Sequence, residues 1–195
     1  MNSRKFSVKT ERFYSAHHAL LRIAKDNLTK AETKEPGWFD SQFTAIVFSS
    51  LAIEALSNAV GGLAINKWNG FESCSPIAKT RLVCEYLNID YGNSKEPWRT
   101  VIWLLKTRNL IAHPKTELIT NEAVIFQQEL DSQKYRSLPK LKFEKRITLE
   151  NAKRSVDTVN EMVSLFCEKL IPKQNFGVIS DMWHSSAKLH DGSTI

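Results

Sequence analysis

The sequence predicts an all-α fold: a helical bundle of about five helices, with an irregular insertion before the last helix. First, apolar residues recur at three- and four-residue spacing along most of the chain, which is the period of an amphipathic helix. Second, these stretches begin after capping residues and end near glycine or proline. Third, a chain of 195 residues, of which 42% are hydrophobic, can bury a sizeable core within one domain.

The first two helices are expected in the N-terminal third of the chain. Helix 1 should run from about residue 9 to residue 33 and end at the "EPG" of 35–37. Its helical spacing is carried by Phe13, His17, Leu20, Ala24 and Leu28. Helix 2 should run from about residue 41 to residue 67, with Asp40 as its N-cap.

Helices 3 and 4 have clear boundary signals. Ser75 is an N-cap followed by proline, which is favoured at the first position of a helix, so helix 3 should extend from there to about residue 88. Helix 4 should run from about Pro97 to His113. Because Pro114 disfavours helical geometry at the preceding residue, His113 is either the last helical residue or already outside the helix.

Residues 115–147 show no clear helical period and are expected to form an irregular, basic insertion. Thr148 is a good N-cap for helix 5, whose apolar face should end before Pro172. We therefore expect a single helical domain over residues 1–172 and a flexible C-terminal tail over residues 173–195.

Composition favours a soluble cytoplasmic protein. Lys and Arg number 27 against 21 Asp and Glu, and this net charge of +6 permits a polyanionic partner without demonstrating one. The three cysteines form no C-x-x-C pair and suit reduced thiols better than a disulfide framework. The polar, basic N-terminus shows no signal peptide.

Residues 43–65 test the membrane alternative, because they are long enough to cross a bilayer and contain one charge, Glu54. However, Ser50, Glu54, Ser57 and Gly61 form a continuous stripe of polar or small residues along one helical face. A carboxylate at the bilayer centre would also be costly. We therefore expect no membrane association and predict the central helix of a soluble bundle, whose polar stripe faces a partner surface.

No metal or cofactor motif stands out. No histidine has a glutamate three residues before it, as a di-iron bundle requires, and there is neither a Gly-rich phosphate loop nor an H-E-x-x-H sequence. His17 with His18, or His184 with His190, could ligate a metal. A partly buried His17 and a surface His18 are the favoured interpretation, since adjacent helical residues point about 100° apart.

The stretch "RNLIAHP" at 108–114 places three polar side chains at the end of an otherwise apolar helix. Asn109 and His113 share a helical face, whereas Arg108 and His113 point about 140° apart on an ideal helix. Arg108 and His113 could converge if the proline takes His113 off the helix, or if a second copy supplies the missing partner across a two-fold axis. Alternatively, the cations only complement the helix dipole.

This stretch resembles the R-x4–6-H motif of the HEPN superfamily, and "FSSLAIEALSNAV" is similar to the upstream helix that often carries a glutamate in HEPN proteins. The resemblance covers roughly residues 43–114. It implies a helical bundle, and many members are metal-independent ribonucleases of toxin–antitoxin, CRISPR-linked and anti-phage systems. Carried over, the catalytic residues would be Arg108 and His113, with Asn109 as the polar residue after the arginine and Glu54 as the upstream acid.

These residue types suit RNA cleavage without a metal. Histidine can transfer the protons of the 2′-hydroxyl and of the leaving oxygen, and the planar fork of arginine matches a phosphate. Glu54 could hold Arg108, within one chain or across a dimer, or it could be a structural carboxylate paired elsewhere. A two-fold pairing of the ends of helix 4, supported by the polar stripe, would place each His113 near the Arg108 of the other chain.

A basic stretch at 133–146 could bind the RNA backbone, because it holds six Lys or Arg against one Glu, with Tyr135 and Phe143 interleaved. A solvated loop is an equal alternative. The candidate RNA-binding residues are Lys134, Arg136, Lys140, Lys142, Lys145 and Arg146.

The predicted function is a metal-independent endoribonuclease that cleaves single-stranded RNA through the 2′-hydroxyl. The resemblance implies a homodimer, with an antitoxin or other defence-system protein as a further partner. The alternative is a non-catalytic HEPN module for dimerisation or for RNA or protein binding. A helical adaptor would be favoured if a different chain covered the polar stripe of helix 2.

Overall fold

The computed structural model describes residues 6–71, 73–113, 116, 118–120, 122, 124–132, 140–170, 178 and 182–189. Within these residues the fold is mainly helical, which confirms the predicted all-α bundle. In chain order the elements are β1 (Phe6–Phe13), α1 (Ala16–Glu32), α2 (Trp38–Ala64), α3 (Pro76–Tyr86), α4 (Trp98–Ala112), α5 (Gln127–Asp131), α6 (Leu149–Lys169) and β2 (Met182–Leu189). Short 3-10 turns occupy Trp68–Phe71 and Glu144–Arg146.

The predicted start of helix 1 near residue 9 is wrong, because residues 6–13 form a strand. β1 pairs antiparallel with β2, from Phe6 opposite Leu189 to Phe13 opposite Met182. Aromatic and β-branched residues alternate with polar ones in "FSVKT", a pattern that suits a strand. Its partner lies at the other end of the chain, within the predicted C-terminal tail.

The cap predicted for helix 2 is also wrong, whereas three other boundaries are confirmed. α2 begins one turn before the expected position, since Gly37 adopts a left-handed conformation (φ 82°) and serves as N-cap in place of Asp40. The side chains of Ser75 and Thr148 accept hydrogen bonds from the backbone N–H groups of Ala78 and Asn151, as N-caps do. α4 ends at Ala112 with His113 as its C-cap.

α2 is the central helix and packs against α1, α3, α4 and α6. It is long and apolar enough to cross a membrane by length and composition, but about half of its most apolar stretch is buried inside the bundle. Its core side chains meet those of α4 and α6. The largest fully buried ones are Ile46, Ile53, Leu56, Val60, Leu104, Met162 and Phe166. α2 is therefore the central core helix of the bundle.

Three members of the polar stripe of α2, Ser50, Ser57 and Gly61, are buried within the chain's own bundle and are not exposed to a dimer partner. The Ser57 and Thr80 hydroxyl oxygens lie 3.0 Å apart, and the buried Ser50 hydroxyl donates to the carbonyl of Val47 at 2.7 Å. Gly61 lies directly against the Trp68 ring. The condition that would have favoured a helical adaptor is therefore not met.

We expect Gly61→Ala and Gly62→Ala to change stability in opposite directions. A Cβ at position 61 would lie 2.5 Å from the buried Trp68 ring, whereas one at position 62 would approach that ring only to 3.9 Å. Alanine gains up to about 1 kcal/mol over glycine in a helix, but overpacking a core costs about 1–3 kcal/mol. Urea unfolding should therefore show Gly62→Ala stabilised and Gly61→Ala destabilised. Equal stabilisation of both variants would contradict the close packing of α2 on Trp68.

Candidate active site

The end of α4 presents the motif residues in two directions. His113 has left the helix (φ −130°, ψ 54°), while its backbone N–H still donates to the carbonyl of Asn109 at 3.0 Å. Its imidazole is exposed and makes no hydrogen bond to any residue that the structure describes. His113 is therefore just outside the helix, one of the two positions that Pro114 predicted.

Arg108 points toward α2. Its Nη2 lies 3.0 Å from Oε2 of Glu54, and its Nη1 donates to Oδ1 of Asn109 at 3.0 Å. Arg108 does not line the groove that contains His113. Within one chain, Arg108 therefore reaches the surroundings of His113 only through Asn109, which agrees with the large angle between the two positions on a helix.

Glu54 serves two cations at once, so both interpretations of its role hold together. Its Oε1 lies 3.8 Å from Nζ of Lys79 on α3, while its Oε2 holds Arg108. The side chain of Lys79 is only 6% exposed, against 23% for Glu54 and 28% for Arg108. One carboxylate thus balances two positive charges, and this cluster keeps a net charge of +1.

Sequence reasoning missed Lys79, although a signal was present. Lys79 lies four residues before Val83 and next to Thr80, so it shares the face of α3 on which Val83 is buried. A lysine on such a face needs a buried partner, because an unpaired buried charge is costly. Glu54, the one charged residue of the 43–65 stretch, was the available candidate.

An open groove of about 520 Å³ lies beside the end of α4. It is lined by Lys106, Asn109, Leu110, His113 and Arg146. Arg146 comes from the basic stretch, 39 residues from Thr107, whose Oγ1 accepts a hydrogen bond from its Nη1 at 2.8 Å. The groove therefore joins two predicted features, the end of the motif and the basic stretch, and none of its lining residues that the structure describes is a carboxylate.

Three further candidate RNA-binding residues lie in the described part of the basic stretch but outside the lining of this groove. Lys140, Lys142 and Lys145 precede Arg146 in the chain. Their side chains are exposed and do not line the groove. Lys134 and Arg136 lie outside the described residues, as does Tyr135. Phe143 is half-buried, with its ring edge-on to Phe43 of α2 at a centroid distance of 6.4 Å. Phe143 thus anchors the stretch to the bundle.

The described residues give little support for a metal site or for a cysteine nucleophile. Among the described residues, no three His, Cys, Asp or Glu side chains are grouped so that they could hold a metal. His17 is fully buried, deeper than expected, and its Nε2 donates to the carbonyl of Val178 at 3.2 Å while its Nδ1 lies 2.6 Å from the Ser15 hydroxyl. Burial raises the pKa of the Cys84 thiol to about 12, which disfavours a thiolate nucleophile.

Comparison with known proteins adds no assignment: no family model matches the chain, and neither the curated proteins nor the solved structures contain a significant match.

Proposed function

We propose that the protein is a metal-independent endoribonuclease of HEPN type that cleaves single-stranded RNA in the cytoplasm. The observation that carries this proposal is the groove in which exposed His113 lies beside Lys106 and Arg146, with no carboxylate among the described residues that line it. Cations without acidic partners suit a polyanion, and the histidine suits proton transfer next to it.

The proposed reaction uses the RNA's own nucleophile. His113 takes the proton of the 2′-hydroxyl, the 2′-oxygen attacks phosphorus, and the bond to the 5′-oxygen breaks. The protonated His113 then returns this proton to the leaving 5′-oxygen, so that the products are a 2′,3′-cyclic phosphate and a 5′-hydroxyl. Positive charge in the groove stabilises the charge that develops on the phosphate oxygens.

Arg108 lies outside the groove and contacts it through Asn109. Glu54 and the amide of Asn109 fix its guanidinium, and Asn109 in turn lines the groove with His113. In a homodimer, which the HEPN resemblance implies, a second Arg108 would approach from the partner chain. The same resemblance implies a role in a toxin–antitoxin or anti-phage defence system, in which an antitoxin or another defence protein would be its regulator.

One observation favours the alternative of a non-catalytic RNA-binding module. The Arg108 guanidinium is engaged by Glu54 and Asn109 and lies off the groove, so one chain presents only half of the motif to a ligand there. Such a module would bind RNA without turning it over.

Cleavage of RNA in the presence of EDTA distinguishes these functions. We expect the purified protein to cut a single-stranded RNA in EDTA, to leave DNA of the same sequence intact, and to produce 2′,3′-cyclic phosphate ends. DNA lacks the 2′-hydroxyl that acts as nucleophile. Binding without cleavage would support the module instead. Activity that is lost with EDTA and restored by a divalent ion would refute the mechanism.

A further inference from the structure

The groove contains an arginine that lies outside the R-x4–6-H motif, and its role rests on the proposed function. We infer that Arg146, assisted by Lys106, binds a phosphate of the RNA beside His113 of the same chain, and that Thr107 positions Arg146 for this contact.

Arg146 is held at both ends. Its Nη1 donates to Oγ1 of buried Thr107 at 2.8 Å, and the Thr107 hydroxyl donates to the carbonyl of Trp103 at 2.8 Å. Its backbone carbonyl accepts a hydrogen bond from Nδ2 of Asn151 at 2.8 Å. A side chain fixed in this way loses little conformational freedom when a ligand binds, so the site is preorganised.

The guanidinium of Arg146 keeps most of its hydrogen-bonding capacity. It carries five N–H donors, of which the bond to Thr107 uses one. No carboxylate of the described residues lies within ion-pair distance of Arg146, in contrast to Arg108, which Glu54 holds at 3.0 Å. Of these two arginines, Arg146 is therefore the one whose charge is available in the groove.

The local charge favours an anion. The C-terminal end of α4 carries about half a negative elementary charge from its backbone dipole. Lys106 and Arg146 bring two full positive charges to the same groove, so the net charge of its described lining residues is positive.

A phosphodiester fits this arrangement. Arginine can donate two parallel hydrogen bonds to a phosphate, while lysine acts as a compact point charge. The groove volume of about 520 Å³ is that of an ordinary small-ligand site. His113 lines the same groove, so a phosphate bound there would have the proton-transfer group beside it without any contribution from a second chain.

The test measures binding separately from cleavage. A single-stranded oligonucleotide with 2′-O-methyl groups cannot be cut through that oxygen, and fluorescence anisotropy would follow its binding at several salt concentrations. For Arg146→Ala we expect about tenfold weaker binding and a log–log salt slope reduced by about 0.7, as for one lost phosphate contact. Arg146→Lys should keep the slope, because it keeps the charge, but should lose affinity with the planar fork.

Thr107→Val tests the positioning role. It removes only the hydroxyl that holds Arg146, so we expect binding to weaken about threefold with the salt slope unchanged. Thr100→Val makes the same change at a buried position two turns earlier on α4, and Arg22→Ala removes an exposed arginine on α1 that pairs with Asp26. Both controls should bind like the wild type.

Several results would overturn the inference. If Arg146→Ala bound RNA with the wild-type affinity and salt slope, the inferred phosphate contact would be refuted. If Thr107→Val and Thr100→Val had equal effects on binding, the positioning role of Thr107 would be refuted. At an RNA concentration below saturation, a mixture of Arg146→Ala and His113→Ala chains should cleave no faster than its Arg146→Ala chains alone, because both groups belong to one chain's site. Recovery of activity would place the two groups in different chains. Failure of the wild type to cleave RNA would count against the proposed function alone, since the binding series does not depend on turnover.

Discussion

Replacing His113 with alanine is expected to lower the rate of RNA cleavage by about 10²–10⁴-fold, which is the contribution of a positioned proton-transfer group. The imidazole is exposed and makes no hydrogen bond within the described part of the chain, so its loss should leave the fold unchanged. Single-turnover cleavage and thermal unfolding of the same preparation would measure the two effects separately.

Two further variants sharpen this test. His113→Gln keeps hydrogen-bonding capacity but cannot transfer protons, so it should be as inactive as alanine while it binds RNA nearly as well as the wild type. Asn109→Ala should be milder, because Asn109 orients the site. A His113→Ala protein that cleaves at nearly the wild-type rate would exclude His113 as the proton-transfer group, and the alternative of a binding module would then be favoured.

The second large effect is expected in stability, from Glu54→Gln. This change leaves the buried ammonium of Lys79 without its carboxylate, and removal of one partner of a buried pair costs about 3 kcal/mol or more. Arg108, which is 28% exposed, can turn toward water and should contribute little to the loss. The free energy of unfolding in urea would measure the effect.

The control for this prediction is the double variant that carries both Glu54→Gln and Lys79→Met. Adding Lys79→Met to Glu54→Gln removes the unpaired charge and should recover most of the lost stability. Glu85→Gln, on the exposed side of α3, should change stability by less than about 0.5 kcal/mol. If Glu54→Gln were as mild as Glu85→Gln, the carboxylate would not be compensating the buried lysine.

The helix boundaries show which features could be predicted locally. Ser75 and Thr148 cap their helices through hydrogen bonds that span three residues, and Pro114 acts on its immediate neighbour, so these signals lie within short stretches of sequence. Pro114 left two positions for His113, as the last helical residue or just outside the helix. The structure shows the second, on which the site depends.

Strand β1 shows the opposite case. Its residues were assigned to helix 1 because Phe13 and His17 match a helical spacing, and the competing strand pattern is short. The strand is formed with residues 182–189, so no local pattern contains its partner. Similarly, Gly37 begins α2 by adopting a left-handed conformation, and the polar residue Asp40 was the stronger cap by residue type.

By itself, the sequence determined the helical class of this protein, the apolar central helix with Glu54 as the one charge of residues 43–65, and the end of α4 at His113. Only the tertiary structure decided that Glu54 is shared by Lys79 and Arg108, that Arg108 turns away from the groove, and that Arg146 reaches it. The reason is that helical period and capping act over three or four residues, whereas these contacts join positions such as Glu54 and Arg108, 54 residues apart, which only the packing of the helices brings together.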